Sequence, residues 1–358
     1  MLYQFRDWEA YRYDLWQLKG AGFLRGPDPR PLPPAGYVTY LGTAHTFGRF
    51  CNTPYPERLR RRYGIPGIDL STSSVGPRYF LIKPALLEIA NAGRVCVIQA
   101  PSARSCSNSL FHNHNTGNNV FQPTGSAPDS PRIHEGEIFN PLFAQGHVDQ
   151  AAQLAREMKA TWVEEMRTLL GLITVPKVLL WFSSRTPDYT PGRKSWQAMC
   201  GEFPQLIDQE MIDEVRPLAD SYVEVCSQTG LPIRFKNRFV GGPGRCYFGG
   251  LYRGEHAYYP SDPMHQQAAE ALAPVLEAYF SEAERAAARA DPGVHGRMID
   301  LAKREAKTPG DADPFAPVEM LQALSGYQLQ EAIGGRVLPV GKLDPYRTRL
   351  VAALAKGG

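Results

Sequence analysis

Tyr37-Val-Thr-Tyr-Leu-Gly42-Thr43-Ala44-His45-Thr46-Phe47-Gly48 decides how the chain is read. Val38 to Leu41 is a short run of β-branched, aromatic and apolar residues, with Pro33, Pro34 and Gly36 before it and Gly42 after it. Its length and composition predict a buried strand. Gly42 breaks the strand, and the Thr43 hydroxyl can open a turn or a helix. A strand closed by glycine and a hydroxyl residue is a common way of placing reactive groups at the carboxyl edge of a sheet. An ordinary strand-to-turn junction would read the same way.

Four more apolar runs lie downstream, at 67–70, 94–100, 177–182 and 221–225. Polar loops follow the first three of them. These are Ser71 to Pro77 with Gly76, Pro101 to Asn108 with Ser102 and Arg104, and Ser183-Ser184-Arg185. Helical patterns lie at 57–63, 78–92, 148–172, 207–218 and from Asp262 to about 290. Strands alternating with helices predict an α/β fold, a three-layer sandwich around a five-stranded parallel sheet, with its site at the carboxyl ends of the strands. Residues 109–147 read as irregular, and 230–258 as a Gly- and Arg-rich hairpin or excursion. We expect an N-terminal arm over 1–36, an α/β domain over 37–290 and a helical C-terminal extension over 291–358.

The composition bounds the function. A chain of 358 residues that is 43% hydrophobic and 21% charged folds as a globular protein. A net charge of +3 offers no footprint for nucleic acid. No run of about 18 apolar residues predicts a membrane span. The six cysteines, Cys51, Cys96, Cys106, Cys200, Cys226 and Cys246, form no C-x-x-C pair, and Cys96 and Cys226 sit in apolar runs that predict core positions. The charged, aromatic start is unlike a secretory leader, so free thiols and a cytoplasmic location are expected. His112 and His114 alternate with asparagines, but no carboxylate or cysteine sits at ligand spacing, so neither metal nor cofactor is expected.

Asp262-Pro-Met-His265 is the second informative stretch. An Asp and a His three apart at a helix start can serve a hydroxyl nucleophile, the His as base and the Asp fixing its tautomer. The plain alternative is that Asp262 caps the helix and His265 lies on its first turn.

Together the two stretches resemble the SGNH, or GDSL-like, hydrolase superfamily. Its members open with a strand and Gly-Asp-Ser-(Leu/Ile)-Thr-x-Gly and close with Asp-x-x-His before the last helix. Gly42, Thr46 and Gly48 stand near the pattern's glycine, threonine and final glycine, and Asp262 and His265 match the last block. The serine falls at Ala44, which has no hydroxyl; Ser71 or Ser74 lies about where the second-block glycine belongs, and Gly76 is only an approximate substitute. Asn108 stands where a superfamily asparagine belongs. A closer resemblance is to an uncharacterised bacterial domain family. It is carried by Gly42 to Phe50, Ser107-Asn108, the His114 to Phe121 run with Asn118, and Ser184-Arg185-Thr186-Pro187.

The resemblance implies acyl or ester transfer or hydrolysis on a small molecule or glycan. His265 would act as base and Asp262 as its orienter, with Thr43, Thr46 or a substrate hydroxyl replacing the serine. Substrate would meet Gly42, Ala44, His45, Ser71, Gly76, Ser102, Arg104, Asn108, His114, Asn118 and Arg185. Two other readings stand beside it. One is a sulfotransferase-like group transferase whose Arg104 and Arg185 clamp an anionic donor. The other is a non-catalytic binding protein on a decayed hydrolase fold. A small-molecule or glycan partner is expected, without nucleic acid or membrane, and the C-terminal extension is the element available for self-association.

Overall fold

The computed structural model describes residues 7, 9–26, 29, 32, 36–113, 119–127, 129–238, 240–248 and 251–290. The expected C-terminal extension lies outside the described residues, as do His114 and Asn118.

Five strands form one parallel sheet: β1 (Val38–Leu41), β2 (Gly67–Asp69), β3 (Val95–Gln99), β4 (Lys177–Ser183) and β5 (Ser221–Cys226). Their order is β2-β1-β3-β4-β5. This is the doubly wound order of the SGNH-like three-layer sandwich, and its switch point falls between β1 and β3. Val38 pairs with Gly67 on one side and Val95 on the other, so the strands' carboxyl ends align.

Side-chain alternation sorts these strands between two cores. Cys96, Ile98, Leu179 and Trp181 face one cluster, and Val95, Val97, Val178, Leu180 and Phe182 face the other. A strand covered on both faces has to be apolar throughout, which is why these runs stand out in the sequence. The first core is closed by α2 (Pro84–Asn91), α4 (Val148–Leu172) and α5 (Gln209–Val215). The second is closed by the 55–65 segment and α6 (Asp262–Leu276). In α4, Ala151, Leu154, Ala155, Met158, Trp162, Met166 and Leu169 are buried at helical spacing.

Several expectations are corrected. The 109–147 stretch is not irregular. It holds a three-stranded antiparallel sheet (Phe111–Asn113, Val120–Pro123, Ile133–His134) and α3 (Glu135–Ala144). Those strands are too short to show alternation, while α3 opens on a capping box between His134 and Glu137. The 78–92 helix is two pieces, because Pro84 starts a new helix and its predecessor leaves helical geometry. The helix expected from Asp262 to about 290 stops at Leu276 and resumes over Glu282–Ala290. Cys226, expected in the core, is exposed on the edge strand β5.

Candidate functional site

β1 delivers Gly42-Thr43 into α1 (Ala44–Phe47). Thr43 is the cap: its Oγ1 accepts from His45 N at 3.3 Å. Gln99, at the end of β3, ties this turn to the sheet. Its Oε1 accepts from Thr43 N and Thr43 Oγ1, both at 3.0 Å, and from Thr46 Oγ1 at 3.3 Å. Tyr55 OH donates to Thr46 Oγ1 at 3.1 Å. Gly42 is required by close approach: a Cβ there would lie 2.2 Å from Thr46 Oγ1. Thr43 and Thr46 are therefore buried parts of a hydrogen-bond lock around Gln99, a residue the sequence reading missed. An amide inside an apolar strand offered a signal, because a buried Gln must find partners.

Ala44 is buried among Tyr11, Tyr13, Phe47 and Phe50. His45 is 3% exposed and stacks on Phe203 at 3.5 Å between ring centres. Burial holds its proton affinity down, to a pKa of about 3, so the ring is neutral.

His265 is fully buried on α6, with Phe182 and Tyr55 ring centres at 5.2 and 6.1 Å. Its Nδ1 accepts the Tyr55 N–H at 3.3 Å. A neutral ring that accepts at Nδ1 carries its proton on Nε2. Burial, then the charges of Arg25 and Arg58, push its pKa well below the ordinary value. Among the described residues Nε2 has no hydrogen-bond partner, and it faces Gly48, where a Cβ would stand 3.3 Å away.

The expected Asp262–His265 pairing is corrected. Ser261, not Asp262, caps α6, its Oγ accepting from Met264 N at 3.3 Å. The Asp262 carboxylate accepts from Arg58 at 2.6 Å and from the Cys51 thiol at 3.3 Å. Spacing placed the two residues near one another, but packing separates them. His265 is drawn inward between aromatic rings, while the Asp262 side chain stays 60% exposed beside an arginine.

The N-terminal segment covers this turn. A hairpin (Leu15–Leu18 with Gly22–Arg25) ends in Arg25, which is buried. Arg25 Nη1 donates to Phe47 O and Gly48 O at 2.7 Å, and Nη2 to Cys51 O and Asn52 O at 2.8 and 3.0 Å. It thus satisfies the carbonyls at the end of α1. Arg49 is held by Asp7 through two bonds of 2.8 and 2.9 Å and also donates to Tyr247 O at 2.9 Å. Tyr11, Phe50, Phe235 and Tyr259 complete an aromatic cover over Ala44.

The other expected residues are distributed along the same edge. Ser71 donates to Asp69 Oδ1 from N at 2.8 Å and from Oγ at 2.5 Å. Burial nevertheless raises the Asp69 pKa to about 6. Gly76 lies against Ser105 and Cys106. Ser102 Oγ donates to Gln205 O at 3.2 Å, and Ser183 Oγ to Phe203 O at 2.6 Å, so the 203–205 segment bridges the loops after β3 and β4. Asn108 Oδ1 accepts from Leu110 N and Phe111 N as a turn. Arg185 donates to the carbonyls of Glu202, Thr186, Pro204 and Ile207 and stacks on Tyr189 at 4.3 Å. Its donors are spent on backbone, so Arg104 and Arg185 do not form one anion clamp. Among the described residues no group of His, Cys, Asp and Glu could hold a metal ion, and no helix is long and apolar enough to cross a membrane.

Arg104 is different. It follows β3, and its side chain is 28% exposed. Asn119, with its amide oxygen toward the guanidinium, accepts from Nε at 3.2 Å and Nη2 at 2.8 Å while its nitrogen meets Ser105 Oγ. Arg104 Nε also lies 3.1 Å from Glu135 Oε2, at the start of α3. Glu135 is 4% exposed, and burial raises its pKa to about 7, against the opposing pull of Arg104 and Trp196. Among the described residues, Trp196 Nε1, Glu135 Oε2 and Gln205 Oε1 are buried without a partner at hydrogen-bonding geometry. Glu135 was missed by the sequence reading, because the stretch before it looked structureless.

Residues 1–125 and 143–280 match the family described as Domain of unknown function (DUF6473). The chain belongs to this family. No curated protein matches the sequence of this DUF6473 member. Among solved structures, it is similar to a GDSL-like lipase from Bacteroides thetaiotaomicron, at 9% identity and a TM-score of 0.32, over 69% of this chain and 90% of that one. It is also similar to a catalytic mutant of an acetylxylan esterase from Geobacillus stearothermophilus, at 10% identity and a TM-score of 0.34, over 69% and 97% of the two chains. A protein from Lactobacillus plantarum matches at 11% identity and a TM-score of 0.32, over 69% and 98%. Likeness at these scores carries no argument about activity. The fold of the DUF6473 member is assigned from its own sheet.

Proposed function

We propose that this DUF6473 member is a small-molecule-binding protein on an SGNH-like α/β fold, and that it does not hydrolyse esters through the superfamily's serine–histidine machinery. The observation that carries this reading is the bond from Tyr55 N to His265 Nδ1. It leaves the proton on Nε2, the nitrogen that a base would need free to take one from a hydroxyl. Ala44 supplies no nucleophile, and Asp262 is engaged by Arg58. At the same edge Arg104 is partly exposed, with one guanidinium nitrogen left without a partner among the described residues, and this makes its loop the place for a ligand.

The test is a fluorophosphonate probe applied to the natural chain and to Ala44→Ser. Neither should label, because the new hydroxyl would find no acceptor on His265. The competing reading is acyl or ester transfer with a non-standard nucleophile at Thr43 or Thr46. Labelling of the natural chain at either threonine would establish that reading and overturn ours.

A further inference from the structure

Arg104 stands at the carboxyl end of β3, beside the switch point. Two of its nitrogens are taken by Asn119 and Glu135, and Nη1 has no partner among the described residues. The first turn of α3, with Glu135 as its first residue, lies beside it; the Glu135 and Gly136 N–H groups are taken by Asn119 O and His134 Nδ1, so an anion's donors here are side chains. Trp196, 4% exposed, turns Nε1 toward the Glu135 carboxylate without reaching hydrogen-bonding geometry. Arg104 thus keeps one donor without a described partner, and Trp196 Nε1, buried and short of ideal geometry, is aimed at the same carboxyl group.

We propose that the Arg104–Glu135–Trp196 cluster binds a small oxyanion at the Nη1 side of the guanidinium, and that Glu135 takes up a proton as the anion arrives. The inference rests on the binding-protein reading, whose ligand class it names. An oxyanion presents only acceptors, so Arg104 Nη1 and Trp196 Nε1 suit it directly. Glu135 suits it once protonated, because the acid O–H then donates and the repulsion between two negative charges is removed. The balance is simple: one proton moves from solvent to Glu135 for each anion bound, and no covalent bond changes.

The surroundings leave Glu135 as the group that responds near neutral pH. Arg104 faces it from the loop after β3, Cys200 from the helix Trp196–Cys200, and Tyr258 from the segment before α6. Burial pushes Cys200 up, and Tyr258 to about 12, so both stay protonated. On its own helix cap, burial and Arg104 push His134 down, so it is neutral above its ordinary value. Glu135, near 7, is poised between its two forms.

The test is titration calorimetry on the full chain with sodium acetate and with sodium sulfate, in two buffers of different ionisation heat. At about pH 8 we expect binding with uptake of roughly 0.3 to 1 proton per site, and affinity falling up to about tenfold per pH unit above neutrality. Tighter acetate assigns a carboxylate ligand, and tighter sulfate a tetrahedral oxyanion. Glu135→Gln should keep the binding and lose both the proton uptake and the pH dependence. Arg104→Gln should lose the binding, and Arg104→Lys, which keeps the charge, should weaken it while retaining the proton uptake. The proposal is overturned if neither anion binds, if Arg104→Gln binds as the natural chain does, or if proton uptake persists in Glu135→Gln. The serine probe reads Ala44 and His265 whereas the calorimetry reads Arg104, so failure of the binding-protein reading and failure of this inference are separate results.

Discussion

Replacing Glu135 with Gln should change how stability depends on pH, by an amount the structure fixes. Burial raises the Glu135 pKa from an ordinary 4.5 to about 7. In the folded chain the carboxyl therefore keeps its proton up to about pH 7, whereas in the unfolded chain it loses it near 4.5. Between those values the folded state binds more protons, so raising the pH costs stability, and above pH 7 the full deficit persists. At about 1.4 kcal/mol per pH unit the deficit is about 3 kcal/mol. Gln is neutral at every pH and has nearly the shape of the protonated acid. The variant should match the natural chain near pH 4.5 and exceed its stability by up to about 3 kcal/mol near pH 8. Asp69 and Glu165, raised by burial to about 6 and about 7, titrate in both proteins and cancel in the difference. So do His45 and His256, held by burial at about 3 and about 4. Urea unfolding of both proteins across this range measures the difference. Parallel curves would refute the burial argument. A natural chain that gains on the variant as pH rises would show that the Arg104 ion pair outweighs burial.

Other outcomes follow from the same contacts. Gly42→Ala should destabilise by about 1–3 kcal/mol, read as a lower thermal midpoint, because its methyl would meet Thr46. Thr46→Ser in the same chain should recover little, since Oγ1 and Cβ are the atoms in the way. Asp7→Asn breaks a buried pair with Arg49 and should cost about 3 kcal/mol or more, with faster proteolysis within residues 9–26. His265→Leu should cost about 1–3 kcal/mol by orphaning the Tyr55 N–H. Asp262→Asn should cost less than about 1 kcal/mol, because its pair with Arg58 is largely exposed on the Asp side. Additive losses in the double variant of these two would show that they do not act as a dyad, and strong coupling would show that they do.

The five sheet strands, their parallel arrangement and the long helix over 148–172 were legible in the sequence, because a strand buried on both faces and an amphipathic helix must both display periodic apolar residues. The turn at Gly42-Thr43 was legible for a local reason, since a glycine and a capping hydroxyl act within a few residues of themselves. Tertiary structure alone decided what the polar residues do. Nothing in the spacing of Asp262 and His265 indicates that one would meet Arg58 and the other Tyr55, because those partners are more than 200 residues away in the chain. Gln99, Arg25 and Glu135 owe their roles to partners from distant segments, and Glu135 owes its proton affinity to burial, which no sequence pattern displays. Periodic apolar residues specify where a chain is buried, whereas a charge or an imidazole acquires its chemistry from whatever the completed fold places beside it.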